Sequence, residues 1–254
     1  MRIAVCIKRV PITGGRILLT EDSRAINTQH LGFTMSPHEE CGVEEAARLI
    51  EANKGDSVVL TLGPPEAVEQ LRDAMALGID RAIHLQTDGQ EWDAEATESA
   101  LLEAIRGDEA ANGPFDIVFF GNESADSGGF QVGIRVAHAL GRPCVTGLKK
   151  VTVEGSSVRC EQEVEGGRDV YVVPLPAVLT VKEGLNLPRY PSVPGKMRAR
   201  SKPVAVSTPH RPAPRLELVK LAVPAGQGRR AESLGSGAAA APAVVDILQK
   251  AGLL

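Results

Sequence analysis

The sequence predicts an α/β protein with a doubly wound, mostly parallel sheet, an antiparallel addition and an extended C-terminal arm. Short apolar runs alternate with amphipathic helical segments up to residue 141. Such runs are typical of parallel strands that are buried on both faces. Hairpin patterns with glycine-containing turns follow, and beyond residue 184 the regular patterns fade.

Four strands alternate with four helices in the first part of the chain. The strands are predicted at 2–8, 57–63, 81–85 and 116–121, and the helices at 36–55, 64–77, 93–107 and 127–141. In the first helix, Ser36 is an N-cap candidate, Pro37 takes the first helical position and Glu39 completes a capping box. Three hairpin strands are then predicted at 147–155, 157–166 and 168–174.

The C-terminal third has a different composition. Residues 189–215 contain seven lysines and arginines, no acid and several prolines. Residues 225–241 are rich in Gly, Ala and Ser, which is a linker composition. Residues 241–254 predict a short helix whose apolar side is formed by Val244, Ile247 and Leu248. Because a helix this short is unstable alone in water, we expect it to dock on another surface.

Composition excludes several classes of protein. The 254 residues carry a formal net charge of −4 and only 3% aromatic side chains, which argues against a nucleic-acid partner. No apolar run approaches the ~20 residues of a membrane span, and the N-terminus does not resemble a signal peptide, so we expect a cytoplasmic protein without membrane insertion. The four cysteines lack the spacing of a metal site or a disulfide framework.

The segment FFGNESADSGGFQVG, residues 119–133, passes from a predicted strand to a predicted helix. In open α/β sheets, ligands bind beyond the carboxyl ends of the strands. Gly128 and Gly129 precede the helix, whose first amide groups are unpaired and whose dipole favours an anion. Two interpretations stay open: a tight turn at the start of a helix, or a phosphate site. The segment contains neither a P-loop nor a GxGxxG motif, so no known phosphate-binding motif decides between them.

No arrangement of nucleophile, base and acid can be recognised. The five histidines do not pair with a cysteine or serine in a known pattern, so no catalytic residue is predicted. We therefore expect a binding or carrier protein. A standalone nucleotide-binding regulatory module is the alternative from another class, and nucleotide hydrolysis ranks third because the chain lacks a P-loop and a cluster of metal-binding carboxylates.

Seven stretches occur in the order in which the small, beta subunit of electron transfer flavoproteins carries them, and over about residues 1–200 the chain resembles that family. The stretches are VCIKRV (5–10), MSPHEECGVEEAARL (35–49), LTLGPPEAVEQLRDAMALGIDRAIHL (60–85), ADSGGFQVG (125–133), EQEVEGG (161–167), LPAVLTV (175–181) and LNLPRYPSVPGKM (185–197). The segment NLPRYPSVPGKM is the most specific of them.

The resemblance implies a heterodimeric electron carrier. The large alpha subunit would carry the redox-active FAD, and this chain, with a Rossmann-like domain at 1–183, would bind a structural AMP. A recognition loop at 184–200 would dock acyl-CoA or related dehydrogenases of fatty acid β-oxidation. An arm at 201–254 would dock its terminal helix on the alpha subunit. Electrons would pass through FAD to a quinone oxidoreductase.

The resemblance also implies individual site residues. The expected nucleotide contacts are Cys6, Ser36, Glu39, Leu62, Gly63, Gly121, Asn122, Asp126, Gly128, Gly129, Phe130, Gln131 and Val132. The expected partner contacts are Glu163, Leu185, Tyr190, Val193, Pro194 and Met197, with Glu163 near the alpha subunit.

Two positions depart from the family pattern, and two interpretations stay open. Ser36 replaces a usual asparagine, and Val193 replaces a usual leucine, a loss of one CH₂ worth ~0.8 kcal/mol if buried. Family members that bifurcate electrons hold a second FAD in place of AMP, and 125–133 is similar to their loop too. The basic stretch 189–215 would either steer partner dehydrogenases or form an extended, solvated arm.

Overall fold

The computed structural model describes residues 1–14, 17–224 and 233–254. Eleven strands lie within these residues: β1 (Arg2–Ile7), β2 (Arg9–Pro11), β3 (Phe33–Met35), β4 (Asp56–Gly63), β5 (Arg81–Gln86), β6 (Ile117–Gly121), β7 (Cys144–Glu154), β8 (Ser157–Val164), β9 (Gly167–Pro174), β10 (Ala177–Val181) and β11 (Val204–Ser207). The α-helices of the same residues are α1 (Pro37–Asn53), α2 (Val68–Ala76), α3 (Ala94–Asn112), α4 (Val132–Leu140), α5 (Val193–Ser201) and α6 (Ala241–Lys250).

One nine-stranded sheet organises the described part of the chain, in the order β11-β5-β4-β1-β6-β10-β7-β8-β9. The strands from β11 to β7 pair in parallel, and β8 and β9 extend the sheet as antiparallel hairpins. The strands β2 and β3 form a separate two-stranded ribbon. The predicted doubly wound, mostly parallel sheet with an antiparallel addition is therefore confirmed.

Helices cover both faces of the parallel strands, which explains their continuous apolar runs. In β1, Ile3 and Val5 belong to one core, together with residues of α1 and α2 such as Val43 and Leu71. The alternate residue Ala4 belongs to a second core, which includes residues of α3 and α4. Because successive side chains of a strand point to opposite faces, a strand covered on both sides is apolar at every position.

The fourth predicted helix begins later than its pattern indicates. The structure starts α4 at Val132, so Gly128 and Gly129 lie in the loop before it and not in its first turn. Gly133 is buried at the second position of α4, where a Cβ would come within 2.9 Å of a methyl carbon of Thr180 on β10. Residues 127–131 have a sequence that is compatible with a helix, but in the structure they belong to the loop between β6 and α4.

The expectation that regular structure ends near residue 184 is wrong, because α5 and β11 follow. The helix α5 packs on α2, and a Cβ on Gly195 would come within 2.7 Å of the carbonyl oxygen of Ala76. Arg72 of α2 donates hydrogen bonds to the carbonyl oxygens of Ala199 and Lys202. These contacts cap α5 and direct β11 into the sheet beside β5.

The C-terminal arm lies along the surface and ends in an exposed helix. Arg211 donates hydrogen bonds to Gln90 and to the carbonyl oxygen of Glu91, and the amide of Leu221 donates to Ser23. The first part of the predicted linker, residues 225–232, lies outside the described residues. The predicted terminal helix is present as α6, and none of its residues is buried.

Candidate nucleotide site and docking segment

The topology places a crevice at the carboxyl end of the sheet. The chain passes from β1 to β4 on one side and later to β6 on the other, so the strand order reverses between β1 and β6. Cys6 lies opposite Phe120 where these two strands approach their ends. In open α/β sheets, ligands bind at such switch points.

A cavity of about 430 Å³ opens at this end of the sheet. Three segments line it: the N-terminus of α1, the loop after β6 and the residue that follows β10 by two positions. Its lining residues are Ser36, Pro37, His38, Glu123, Ser124, Ala125, Asp126, Ser127, Gly128 and Glu183. The volume lies in the lower part of the range of small-molecule sites, about 300–1,000 Å³.

Ser36 does not cap α1, so the predicted capping role of its side chain is wrong. It occupies the N-cap position, but its side chain accepts no hydrogen bond from the helix. The residue is buried, and its hydroxyl has no partner among the described residues. A buried hydroxyl without a partner costs about 1–3 kcal/mol. Because Ser36 also lines the cavity, a ligand there could remove this penalty.

The side chain of Glu39, in the first turn of α1, contacts the residue that follows β1 and the last residue of β6. Its carboxylate accepts a hydrogen bond of 2.6 Å from the amide of Lys8. Burial, with the charge of Asp126 as a smaller contribution, raises the pKa of Glu39 to about 8, although the Lys8 amide and charge act in the opposite direction. A Cβ on Gly121 would come within 2.7 Å of the Glu39 Cγ, so this side chain requires a glycine at the end of β6.

Lys8 joins the end of β1 to two loops. Its Nζ lies 2.8 Å from Asp126 and 2.6 Å from Glu91. Burial raises the pKa of Asp126, but the Lys8 ammonium outweighs this and holds the pKa of Asp126 below its ordinary value. Asp126 is therefore ionised at neutral pH, and the charge of Lys8 is compensated within the chain.

The loop before α4 has an unusual backbone. Gly128 has φ +56° and Phe130 has φ +55°, and the Phe130 side chain is half exposed. A Cβ on Gly129 would meet no atom of the described residues within 4 Å, and its φ is not left-handed, so no contact among those residues explains that glycine. Gln131 takes the N-cap position of α4, but its Oε1 accepts a hydrogen bond from Arg135 Nε and does not cap the helix, which leaves the first amide groups of α4 available.

The structure brings several of the expected nucleotide contacts together and turns others inward. Ser36, Asp126 and Gly128 line the cavity. Cys6 is buried in the core, and burial raises the pKa of its thiol. The side chain of Asn122 accepts a hydrogen bond of 2.9 Å from the Thr180 hydroxyl. Leu62 and Gly63 end β4, while Phe130, Gln131 and Val132 lead into α4.

Five polar residues that line the cavity are not among the expected nucleotide contacts: His38, Glu123, Ser124, Ser127 and Glu183. The ring of His38 accepts a hydrogen bond of 2.7 Å at Nδ1 from the amide of Glu183, and its Nε2 lies 3.5 Å from Glu123. Glu123 and Glu183 belong to separate loops, and no sequence pattern relates them. The only available signal was position, because both follow closely after an apolar strand.

Residues 185–197, which are expected to dock a dehydrogenase and are called the docking segment below, expose large apolar side chains. Tyr190 is 97% exposed and Val193 is 74% exposed, and Leu187, Pro194 and Met197 are exposed as well. Leu185, by contrast, packs partly buried against the core. A surface with several exposed apolar residues in one short segment is typical of an interaction site.

Glu163 lies far from this segment, on the antiparallel extension. It is exposed on β8, where it is paired in register with Arg168 of β9. Val170 and Val172 of β9 are exposed too. The expected contact of Glu163 with another subunit stays a prediction. Among the described residues, no helix combines the length and the apolar character that crossing a membrane requires.

Comparison with known proteins identifies the family. Residues 24–211 match the model of the electron transfer flavoprotein domain. The chain is 34% identical over 206 residues to the electron transfer flavoprotein subunit beta of Bacillus subtilis (strain 168), covering 80% of this chain and 77% of the relative. It is 36% identical over 212 residues to that of Mycobacterium tuberculosis (strain ATCC 25618 / H37Rv), covering 81% and 78%.

A eukaryotic relative shows similar agreement. The mitochondrial electron transfer flavoprotein subunit beta of Arabidopsis thaliana is 34% identical over 211 residues, which covers 82% of each chain. The family match over residues 24–211 includes the strands from β3 to β11, the residues that line the cavity and the docking segment. This chain belongs to the electron transfer flavoprotein family, as one of its beta subunits.

Proposed function

We propose that this beta subunit holds an AMP in the cavity at the carboxyl end of the sheet. The observation that carries the proposal is that Ser36 lines the cavity while its buried hydroxyl has no partner among the described residues. The unexplained glycine at position 129 supports it, because a backbone without a Cβ lets a ligand approach closely.

The charges of the cavity favour a particular orientation of the nucleotide. Glu123, Asp126 and Glu183 line the cavity, so a phosphate in its centre would meet like charges. Carboxylates suit ribose hydroxyls, which donate hydrogen bonds to them. The first amide groups of α4 suit the phosphate. We therefore place the ribose and adenine in the cavity and the phosphate beside Gly129 and the start of α4.

A mononucleotide fits this cavity better than a dinucleotide. The volume of about 430 Å³ lies nearer the lower limit of small-molecule sites than the upper limit. A second FAD, as in bifurcating members of the family, would need space beyond the three segments that line the cavity.

The second part of the proposal concerns the partners of the chain. An electron transfer flavoprotein alpha subunit would carry FAD, which supplies the redox chemistry when bound. Val244, Val245 and Ile247 of α6 are each more than 40% exposed, an apolar surface that a subunit interface would cover. The docking segment would receive acyl-CoA or related dehydrogenases, and a quinone oxidoreductase would accept the electrons. This chain would act as an electron carrier subunit without catalytic residues of its own.

The nucleotide content of the purified heterodimer tests the first part. The chain is coexpressed with its alpha subunit, the complex is denatured, and the released nucleotides are separated and weighed. We expect AMP and FAD in equal amounts. Two FAD per heterodimer would indicate the bifurcating type, and FAD without AMP would refute the nucleotide site.

A serine variant tests the role of the cavity itself. Ser36→Ala removes an unpaired buried hydroxyl, so the nucleotide-free protein should be as stable as the parent or more stable. The same variant should retain less AMP, and Ser207→Ala, on the exposed part of β11, should behave like the parent. Equal AMP retention in both variants would contradict the assignment.

Expression of the chain alone, compared with its coexpression with the alpha subunit, separates this proposal from a standalone nucleotide-binding module. We expect gel filtration to show that it joins the alpha subunit in a complex of one copy each. A stable, colourless oligomer of this chain, indifferent to the alpha subunit, would favour the module.

A further inference from the structure

We propose that Glu44 of α1 is a positioning residue for docking, because it clamps Arg189 and so presets the docking segment before a dehydrogenase arrives. The inference rests on the proposed docking function of residues 185–197. It adds residues that make no direct contact with the partner but decide the conformation in which the segment meets it.

The clamp is built around one buried carboxylate. The Glu44 side chain is only 1% exposed. Arg189 Nε lies 2.9 Å from Glu44 Oε2, and Nη2 lies 3.1 Å from Oε1, so the guanidinium and carboxylate form a two-pronged pair. The backbone amide of Arg189 donates a third hydrogen bond, 3.1 Å long, to Oε2. Two parallel bonds between planar groups fix orientation as well as distance.

The other edge of the Arg189 guanidinium is held about two turns further along α1. Its Nη1 and Nη2 donate to the two carboxylate oxygens of Glu51, at 2.6 and 3.1 Å. Arg48 donates a 2.6 Å bond to Glu44 from the same helix. Burial raises the pKa of Glu44, but the hydrogen bonds from Arg189 and then Arg48 outweigh it and hold the pKa of Glu44 below its ordinary value. The carboxylate is therefore charged at neutral pH.

A second pair of contacts holds the start of the segment to α1. Asn186 Nδ2 donates to the carbonyl oxygen of Cys41 at 3.0 Å and to Glu45 at 2.9 Å. The Cys41 thiol lies 3.6 Å from the carbonyl oxygen of Asn186. Residues 186 and 189 are thus both held by hydrogen bonds to the same helix, α1.

The exposed apolar residues alternate with the fixed ones. Leu187 lies between the two anchored positions, and Tyr190 follows Arg189 directly, and both side chains are more than 80% exposed. Neither packs into the core, so the conformation of residues 187–190 depends on the polar contacts of Asn186 and Arg189 with α1. Fixing these residues in the free protein removes part of the ordering penalty that docking would otherwise carry.

A structural explanation competes with this one: the clamp could serve only to hold the surface together. The two explanations differ in what a broken clamp changes. A structural role predicts lower stability at unchanged docking. A positioning role predicts weaker docking even when stability is nearly unchanged, as in a variant that keeps a positive charge beside the buried Glu44 carboxylate.

The test uses the FAD-loaded heterodimer and a purified acyl-CoA dehydrogenase reduced by its acyl-CoA. Arg189→Lys keeps the charge and loses the two-pronged geometry. We expect it to raise the KM for the heterodimer about tenfold, the factor expected when part of the ordering penalty returns, with kcat and the unfolding temperature close to the parent. Amide hydrogen exchange over residues 186–190 should become faster. Glu44→Gln should act in the same direction.

Two further variants make the outcome decisive. Arg24→Lys alters a surface ion pair elsewhere, with Glu217, and should leave KM unchanged. Val193→Asp places a charge on the docking surface and should raise KM strongly. If Val193→Asp acts but Arg189→Lys changes exchange and not KM, the positioning role is refuted and the docking function stands. If Val193→Asp leaves KM unchanged, the docking function fails, and this inference fails with it.

Discussion

Replacing Val193 by leucine is expected to tighten docking about fourfold without changing the stability of the chain. Val193 is the first residue of α5 and is 74% exposed. The added methylene therefore remains in water in the free protein, and surface changes of this kind alter the free energy of unfolding by less than about 0.5 kcal/mol.

The magnitude follows from what the partner would bury. One methylene group that moves from water to an apolar pocket contributes about 0.8 kcal/mol, and about 1.4 kcal/mol corresponds to a factor of ten in affinity. Val193→Leu should thus lower the KM for the heterodimer about fourfold. Val193→Ala removes two methylene equivalents, about 1.6 kcal/mol, and should raise KM about fifteenfold.

The assay measures reduction of the heterodimer by a reduced acyl-CoA dehydrogenase over a range of heterodimer concentrations, at fixed ionic strength. Val206→Leu is the matched control, because Val206 is 59% exposed on β11 and lies outside the docking segment. KM values that do not change in the order Leu, Val, Ala, with FAD still reducible by dithionite, would refute the assignment of Val193 as the docking contact. A fall in the unfolding temperature of Val193→Leu would refute its description as an exposed residue.

Four other results are expected. Gly129→Ala should leave the unfolding free energy unchanged or raise it by up to about 1 kcal/mol, since a Cβ there meets nothing, but calorimetric titration of AMP-stripped heterodimer should show at least tenfold weaker AMP binding; equal affinity would remove Gly129 from the site. Gly133→Ala should lower the unfolding free energy by about 1–3 kcal/mol in urea titrations, because its Cβ would come within 2.9 Å of a neighbouring methyl carbon; a midpoint equal to that of the parent would contradict this packing. Burial raises the pKa of Asp108, but hydrogen bonds from Arg81 and then from Arg2 outweigh it and hold that pKa below its ordinary value of 3.8. The contribution of Asp108 to stability is therefore complete above pH 3.8 and is lost as the pH falls further. The dependence of stability on pH below 3.8 should be shallower in Asp108→Asn, and an identical slope would contradict the pairing. Removing residues 241–254 should leave the unfolding temperature of the free chain unchanged, since no residue of α6 is buried, and should weaken association with the alpha subunit in gel filtration; undiminished association would refute the docking role of this helix.

Local pattern alone determined the order of the elements and the class of the fold. Each of the first four predicted strands is an apolar run that ends in a loop or a helix signal, and the structure contains all four as β1, β4, β5 and β6. Local pattern is sufficient for these elements because a strand covered on both faces is apolar at every position, and an amphipathic helix repeats its apolar residues every three to four positions. Both signals lie within a few residues of one another along the chain.

The tertiary structure decided where short segments end and which polar groups meet. No apolar periodicity predicts α5, because its buried residues are only Gly195 and Ala199. This helix is stabilised by hydrogen bonds from Arg72 of α2, which is distant in sequence. Local sequence placed Ser36 at the N-cap of α1, where the structure has it, but the folded chain buries its hydroxyl without a hydrogen bond to the helix. Glu44 and Arg189 are separated by 145 positions in sequence and are joined only because β10 returns the chain beside α1. Contacts between residues so far apart depend on topology, and no local pattern encodes them.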